Sequence, residues 1–374
     1  GLRVLAELVR HDEGNTVAKA LQEEGQVIKA MDILKNDSVN AARVLPALLM
    51  LEACVQDPDV AIALARDGIV NALVNAFRNN NTNSALQEKT ISTLAALSRG
   101  LPSCQDFLDA GGIAAFIEML QIANKNGTSS VASKVLDALI DQCSPETGRS
   151  AEDCKVFGEA FLSHPKGLPT VDESMGVFSD DEGVLAAVAK LLRVLAVATG
   201  KTELVFGSPT FKSVIQALSA HPEMRDLAFE CVSLVLLAAG DAKMQDILSQ
   251  TGALSSMATI QGMHADDPEL LQLCEQVLVA SGNADFEHLT ADEATDQLKQ
   301  AHASGEGLAA ALANVAKLAV LDGDARKLME NEDLGTFNEV VGIVGELQGP
   351  PFDIIVLDSA VSALDQVPVN ANTA

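Results

Sequence analysis

Apolar residues recur along this chain at the three-and-four spacing of helices that bury one face, and short breaks sort these helices into groups of three. The clearest group is Cys104–Leu108, Ile113–Leu120 and Val131–Cys143, the last with Val131, Val135, Leu136, Leu139 and Ile140 on one side. Before it, Asp59–Asp67, Ile69–Arg78 and Ser84–Ser98 repeat the layout, as do Thr16–Glu24, Gln26–Leu34 and Val39–Val55. After it come Glu182–Thr199, Phe211–Ala220 and Glu223–Ala239, then Met244–Ser249, Leu254–Met263 and Pro268–Ala280. The rhythm weakens at Asp292–Ala303 and resumes at Gly307–Leu321, ending with Arg326–Glu330, Phe337–Leu347 and Ile354–Leu364. Pro46 falls inside one expected helix and should kink it.

The groups are punctuated by one phrase, a helix end followed by glycine and an apolar restart. It reads Glu24-Gly25-Gln26-Val27, Asp67-Gly68-Ile69-Val70 and Ala110-Gly111-Gly112-Ile113, with the glycines 43 residues apart each time. Weaker copies sit at Gly207, Gly252 and Gly335, the last two separated by 83 residues, close to two periods. Glycine suits such a break because the residue just past a helix end often needs the left-handed conformation. A repeat of roughly 40–47 residues built from two or three helices is the pattern of armadillo and HEAT arrays.

The resulting expectation is an all-α chain, a right-handed α-solenoid of armadillo-type three-helix repeats. Residues 1–374 would form a single array of about eight units, the first truncated. Leu2–Val9 reads as the tail of a repeat's final helix, so the chain is expected to be a piece of a longer array. Residues 163–183, with His164, Pro165, Gly167, Pro169 and several acidic residues, are expected to be an inserted surface loop.

A solenoid accommodates 374 residues because each unit contacts only its neighbours. Hydrophobic residues make up 48 % but aromatics only 3 %, with no Trp and no Tyr, which suits Ala- and Leu-rich helices better than strands. Asp and Glu number 52 against 25 Lys and Arg, a net charge of −27 that repels nucleic-acid phosphates and anionic lipid. The six cysteines are dispersed without a CxxC pair, as expected of buried thiols in a reducing compartment. No apolar run reaches spanning length.

The chain resembles the armadillo-repeat family over nearly its whole length, most clearly at Gly25, Gly68 and Gly111. In its import adaptors, the resemblance implies, third-helix asparagines clamp an extended peptide beside tryptophans. Here that slot reads Leu48-Leu49-Met50-Leu51, Leu94-Ala95-Ala96-Leu97, Leu136-Asp137-Ala138-Leu139 and Leu192-Arg193-Val194-Leu195; only Leu312-Ala313-Asn314-Val315 keeps the asparagine. With no tryptophan and a charge opposite to the basic catenin groove, the scaffolding branch remains. Helical phase nominates Arg43, Gln87, Lys134, Asp137, Arg193, Arg225, Gln272, Glu275, Asn314 and Lys317 as partner-binding residues on the third helices.

Other chemistry is weighed and set aside. Ala198-Thr199-Gly200-Lys201-Thr202 ends like a phosphate-binding loop, but Leu195 stands where that loop needs glycine, and a helix C-terminus explains it. The six histidines show no paired ligand spacing, and those near 221 and 264 read as turns. Asp180-Asp181-Glu182 and Asp266-Asp267 lack a calcium-loop pattern and read as helix starts. Ser179-Asp180-Asp181-Glu182 fits either an acidophilic kinase or an N-cap, and the cap is preferred.

The sequence therefore points to a non-enzymatic scaffold holding other proteins in a larger assembly, with no catalytic residue, cofactor or metal. A cytoplasmic setting is expected, with the cytoskeleton or a ciliary axoneme preferred. Two alternatives stay open: an adaptor binding a basic peptide on an acidic concave face, and a platform for an enzyme whose catalytic part lies elsewhere.

Overall fold

The structure, a computed structural model, describes residues 1–12, 16–281, 296 and 298–300. The chain divides into two compact units, Gly1–Val277 and Leu278–Ala374. The expected elements at Asp292–Ala303, Gly307–Leu321, Arg326–Glu330, Phe337–Leu347 and Ile354–Leu364, with Gly335, Asn314 and Lys317, lie outside the described residues or are too sparsely covered to judge.

Among the described residues every regular element is a helix. The first is α1 (Leu2–Arg10), followed by α2 (Thr16–Glu23), α3 (Gln26–Asn36) and α4 (Ala41–Cys54). Next come α5 (Pro58–Arg66), α6 (Ile69–Asn79) and α7 (Ser84–Gly100), then α8 (Cys104–Asp109), α9 (Gly112–Asn126) and α10 (Ser129–Cys143). A short 3-10 turn at Pro145–Thr147 leads to α11 (Ala151–Ser163), α12 (Gly167–Val177) and α13 (Glu182–Thr199). The series closes with α14 (Thr202–Phe206), α15 (Pro209–Ala220), α16 (Arg225–Ala239), α17 (Ala242–Thr251), α18 (Ala253–Met263) and α19 (Pro268–Ala280).

Packing follows a rule of three. Helices α1, α4, α7, α10, α13 and α16 each lie against the next, and so do α3, α6, α9, α12, α15 and α18. The short helices pair as α2 with α5, α8 with α11 and α14 with α17. The arrangement is consistent with an α-solenoid, and α1 packs on α4 as α4 packs on α7. Seven phenylalanines fill the interior, with Phe107 between Phe116 (5.9 Å between ring centres) and Phe157 (6.4 Å), and Phe206 edge-on to Phe211 at 4.8 Å.

The glycine breaks work as the sequence implies. Gly25, Gly68, Gly111 and Gly252 all have positive φ, between 69° and 86°, and at Gly68 the chain turns by 72° from α5 into α6. Gly207 does not: its φ is −79°, and the junction is instead made by Ser208, whose hydroxyl caps α15 by accepting from Phe211 N–H ahead of Pro209. Gly200 has φ 65° and closes α13, so Gly200-Lys201-Thr202 is a helix end. Pro46 lies inside a continuous α4.

The expectation of an inserted loop over residues 163–183 is wrong. Residues 167–177 form α12, which takes the second-helix place between α9 and α15 and buries Thr170, Val171, Ser174 and Met175. Pro165 and Pro169 misled the sequence reading. Pro165 precedes the helix, and Pro169 sits in its first turn, where the missing N–H has no helical acceptor to lose. The extra length lies earlier, in Ser144–Ser150 around the 3-10 turn, where Gly148 has φ 85°. Contacts that cross it are longer in sequence: Asn124 reaches the Thr170 carbonyl and Ser174, 46 and 50 residues on, whereas Thr210 reaches the Leu168 carbonyl across 42.

All six cysteines are free and buried, and burial pushes the thiols up, Cys104 to about 11 and Cys54 and Cys274 to about 12. A thiol-reactive probe at neutral pH is therefore expected to label Cys54, Cys104 and Cys274 at least about a hundredfold more slowly in the native chain than in the unfolded chain, since the thiolate is the nucleophile. A glycine pair tests the junctions. Gly111→Ala, at φ 86°, should lower stability by about 1 kcal/mol. Gly176→Ala, on α12 with open space around the added methyl, should leave it unchanged or raise it by up to about 1 kcal/mol, both read from denaturant midpoints.

Candidate partner-binding face

Third-position helices are joined by ion pairs that themselves repeat. Glu52, twelfth in α4, pairs with Lys89, sixth in α7, and also accepts from Arg10 of α1 at 3.4 Å. The same register returns with the charges exchanged: Arg193, twelfth in α13, meets Glu230, sixth in α16, at 2.9 Å. Both pairs are separated by 37 residues and only partly exposed, which spares them some of the screening that weakens surface pairs. Each clasps one repeat to the next.

Between these clasps the pattern breaks. Lys134 is sixth in α10, but the twelfth residue of α7 facing that register is Ala95, so Lys134 has no ion pair within 4 Å among the described residues. Asp137 lies one turn further along α10 and is exposed, as are Lys134 and Lys190 of α13. Desolvation by the surrounding helices nonetheless raises the Asp137 carboxyl above the usual range; Lys134 and Lys190 oppose the shift and Asp141 adds to it. Ionised there, Asp137 works against folding.

Deeper in the same region, Ser98 of α7 hydrogen-bonds Gln142 of α10 and receives the Arg149 guanidinium. The Gln142 amide nitrogen has no partner. Burial lowers the Arg149 pKa, with Cys104 and Cys154 acting against the shift.

The structure sorts the nominated residues. Lys134 and Asp137 come together and stay uncommitted. Arg193 is held by Glu230. Arg225 is bound to Asp267 (2.8 Å) and Glu269 (3.2 Å) and stacks over Phe229, fastening α16 to the start of α19. Arg43 pairs with Asp37 at 2.6 Å beside its own helix start. Gln272 is exposed and Glu275 half-buried on α19. Gln87 is the correction: it is fully buried, its amide donating to the Phe77 carbonyl at 3.4 Å, because its place in α7 turns toward α6 and not outward.

Lys190 was missed by the sequence reading. It lies 53 residues after Asp137, beyond the 43-residue period, because Ser144–Ser150 lengthens that repeat. Three of the four described asparagine slots of the family pattern are closed, Met50, Ala96 and Ala138 being 0 %, 1 % and 5 % exposed, whereas Val194 is half-buried. Among the described residues no cluster of His, Cys, Asp and Glu could hold a metal ion, and no single helix is long and apolar enough to cross a membrane.

Asp137→Asn supplies a pH test. A carboxyl whose folded pKa is raised above 3.8 disfavours folding at neutral pH, and that cost is relieved as pH falls through the raised value toward 3.8. The variant is expected to be more stable than the parent at pH 7, with the difference vanishing once both states are protonated, as read from thermal midpoints across pH.

No protein-family model matches the chain, and no curated protein matches it. Among solved structures it is similar to the crystal structure of an engineered protein from the Northeast Structural Genomics Consortium, at 15 % identity over 98 % of this chain and 94 % of that one, with a TM-score of 0.40.

Proposed function

We propose that the chain is an armadillo-type scaffold without enzymatic activity, which holds other proteins in a larger assembly through the face built by its third-position helices. The observation that carries this reading is the interrupted clasp. Lys134, Asp137 and Lys190 make no ion pair within 4 Å among the described residues, between two junctions whose charges are paired internally, and desolvation raises the Asp137 carboxyl above its usual range. Desolvated charges kept against stability are a mark of functional positions. The armadillo assignment rests on the three-helix rhythm and on the left-handed glycines at 25, 68, 111 and 252.

Charge distribution favours this scaffold over an adaptor for a basic peptide. Helices α1, α4, α7, α10, α13, α16 and α19 together carry nine basic and ten acidic residues, so the net charge of −27 is not concentrated on them. A nearly balanced wall selects partners by pattern and shape, with limited dependence on salt. A cytoskeletal or axonemal assembly is the setting to test first.

The test is affinity capture of the tagged chain at low and high salt, with partners identified by mass spectrometry. Partners retained at high salt and lost on Lys134→Glu combined with Lys190→Glu, with the thermal midpoint unchanged, are the expected result. Basic partners released by salt and indifferent to those substitutions would replace the scaffold with an adaptor.

A further inference from the structure

Three serines among the described residues have an acidic residue three positions later, the spacing selected by acidophilic serine/threonine kinases. The structure separates them. The Ser103 hydroxyl accepts from Asp106 N–H at 3.2 Å and donates to the Asp106 carboxylate at 2.7 Å. Ser150 does the same with Asp153, at 3.0 and 2.7 Å. In both, acceptor hydroxyl and acidic determinant are locked together in an N-terminal cap and are not available to a kinase. Thr170, which also has an acidic residue at the third position, is 2 % exposed.

Ser179 differs from Ser103 and Ser150 in its hydroxyl and from Thr170 in its exposure. The cap of α13 is provided by Asp181, whose carboxylate accepts from Val184 N–H at 3.1 Å, so capping makes no demand on the serine. Ser179 and Asp180 are the two central residues of a turn closed by Asp181 N–H to the Phe178 carbonyl at 3.1 Å. Ser179 is exposed, and its hydroxyl makes no hydrogen bond with any other described residue. The acidic residues after it are spread along the same edge and anchored there. Asp180, 87 % exposed, reaches His221 of the next repeat at 3.5 Å, and Glu182 accepts from Asp226 N–H at 2.9 Å.

We propose that Ser179 is a phosphorylation site for an acidophilic serine/threonine kinase. The Ser179 oxygen attacks the γ-phosphorus of the magnesium nucleoside triphosphate held by the kinase. The bond from that phosphorus to the bridging oxygen breaks, the nucleoside diphosphate leaves, and the hydroxyl proton passes to the kinase base. The phosphomonoester adds close to two negative charges at the turn between α12 and α13, beside the Asp180–His221 contact that joins this repeat to the next.

The experiment incubates the full chain, folded by circular dichroism, with a purified acidophilic kinase and labelled ATP, and maps the phosphate by mass spectrometry. One phosphate per chain is expected, at Ser179 and not at Ser103 or Ser150. Ser179→Ala, which removes no contact, should abolish it, and Glu182→Gln, which keeps the bond to Asp226, should slow it by about tenfold through loss of one charge-assisted contact to the kinase. Labelling that persists in Ser179→Ala, or maps to any other residue, would overturn the assignment. So would a folded chain that resists the kinase while a peptide spanning residues 176–185 is labelled.

Discussion

Everything in the described unit depends on each third-position helix lying closely against the next. No single group of three helices can enclose its own apolar faces, so stability comes from stacking. The sequence meets that demand with small and branched aliphatic residues: Ala186, Ala187, Ala189, Leu191 and Leu192 of α13 are all buried. Close approach is visible at Gly100, the last residue of α7, where a β-carbon would lie 1.7 Å from the Val55 carbonyl oxygen after α4. Phenylalanines fill the interior behind this wall, where Phe77, Phe107, Phe116 and Phe157 are fully buried.

That packing controls what the face can do. It covers Met50, Ala96 and Ala138, so positions that could have presented polar groups to a peptide become part of the core. Polar recognition is left to residues at the margins of the contact, and several of those are spent on joining neighbours. Glu52 serves Arg10 and Lys89 together, and Arg193 serves Glu230. Along the second-position helices, Asn79 and Asn80 bond Ser38 and Arg78 pairs with Glu118 in the same repeat-to-repeat manner. A surface whose charges are internally matched resists salt, and a gap in the matching, as at α10, becomes its most specific feature.

Much of the fold was legible because helix formation and repetition are local properties. The three-and-four spacing located most of the helices within a few residues, though not α11, α12 or α14, and the 43-residue interval located the sharp turns at Gly25, Gly68 and Gly111, where left-handed backbone favours glycine. Local rules failed where one residue type has two uses. Pro169 was read as a breaker although a proline in the first helical turn is harmless, and Ser208 with Pro209 makes a junction without the glycine conformation. Of the site, Lys134 and Asp137 were found from helical phase. Gln87 was misjudged because phase alone does not say which side of α7 faces α6.

The sequence by itself determined an all-helical chain, the period of its repeats, its excess of acid and the burial-prone character of its cysteines. These follow from side-chain chemistry and short-range backbone geometry. Only the tertiary structure decided which charges are consumed. Lys134 and Lys89 occupy the same register of equivalent helices, and what distinguishes them is the residue on the facing helix, Ala95 for one and Glu52 for the other. Only it could bring Lys190 to Asp137 across a repeat lengthened by Ser144–Ser150, because ion pairing and desolvation depend on distance in space, which a sequence interval of 53 residues does not fix.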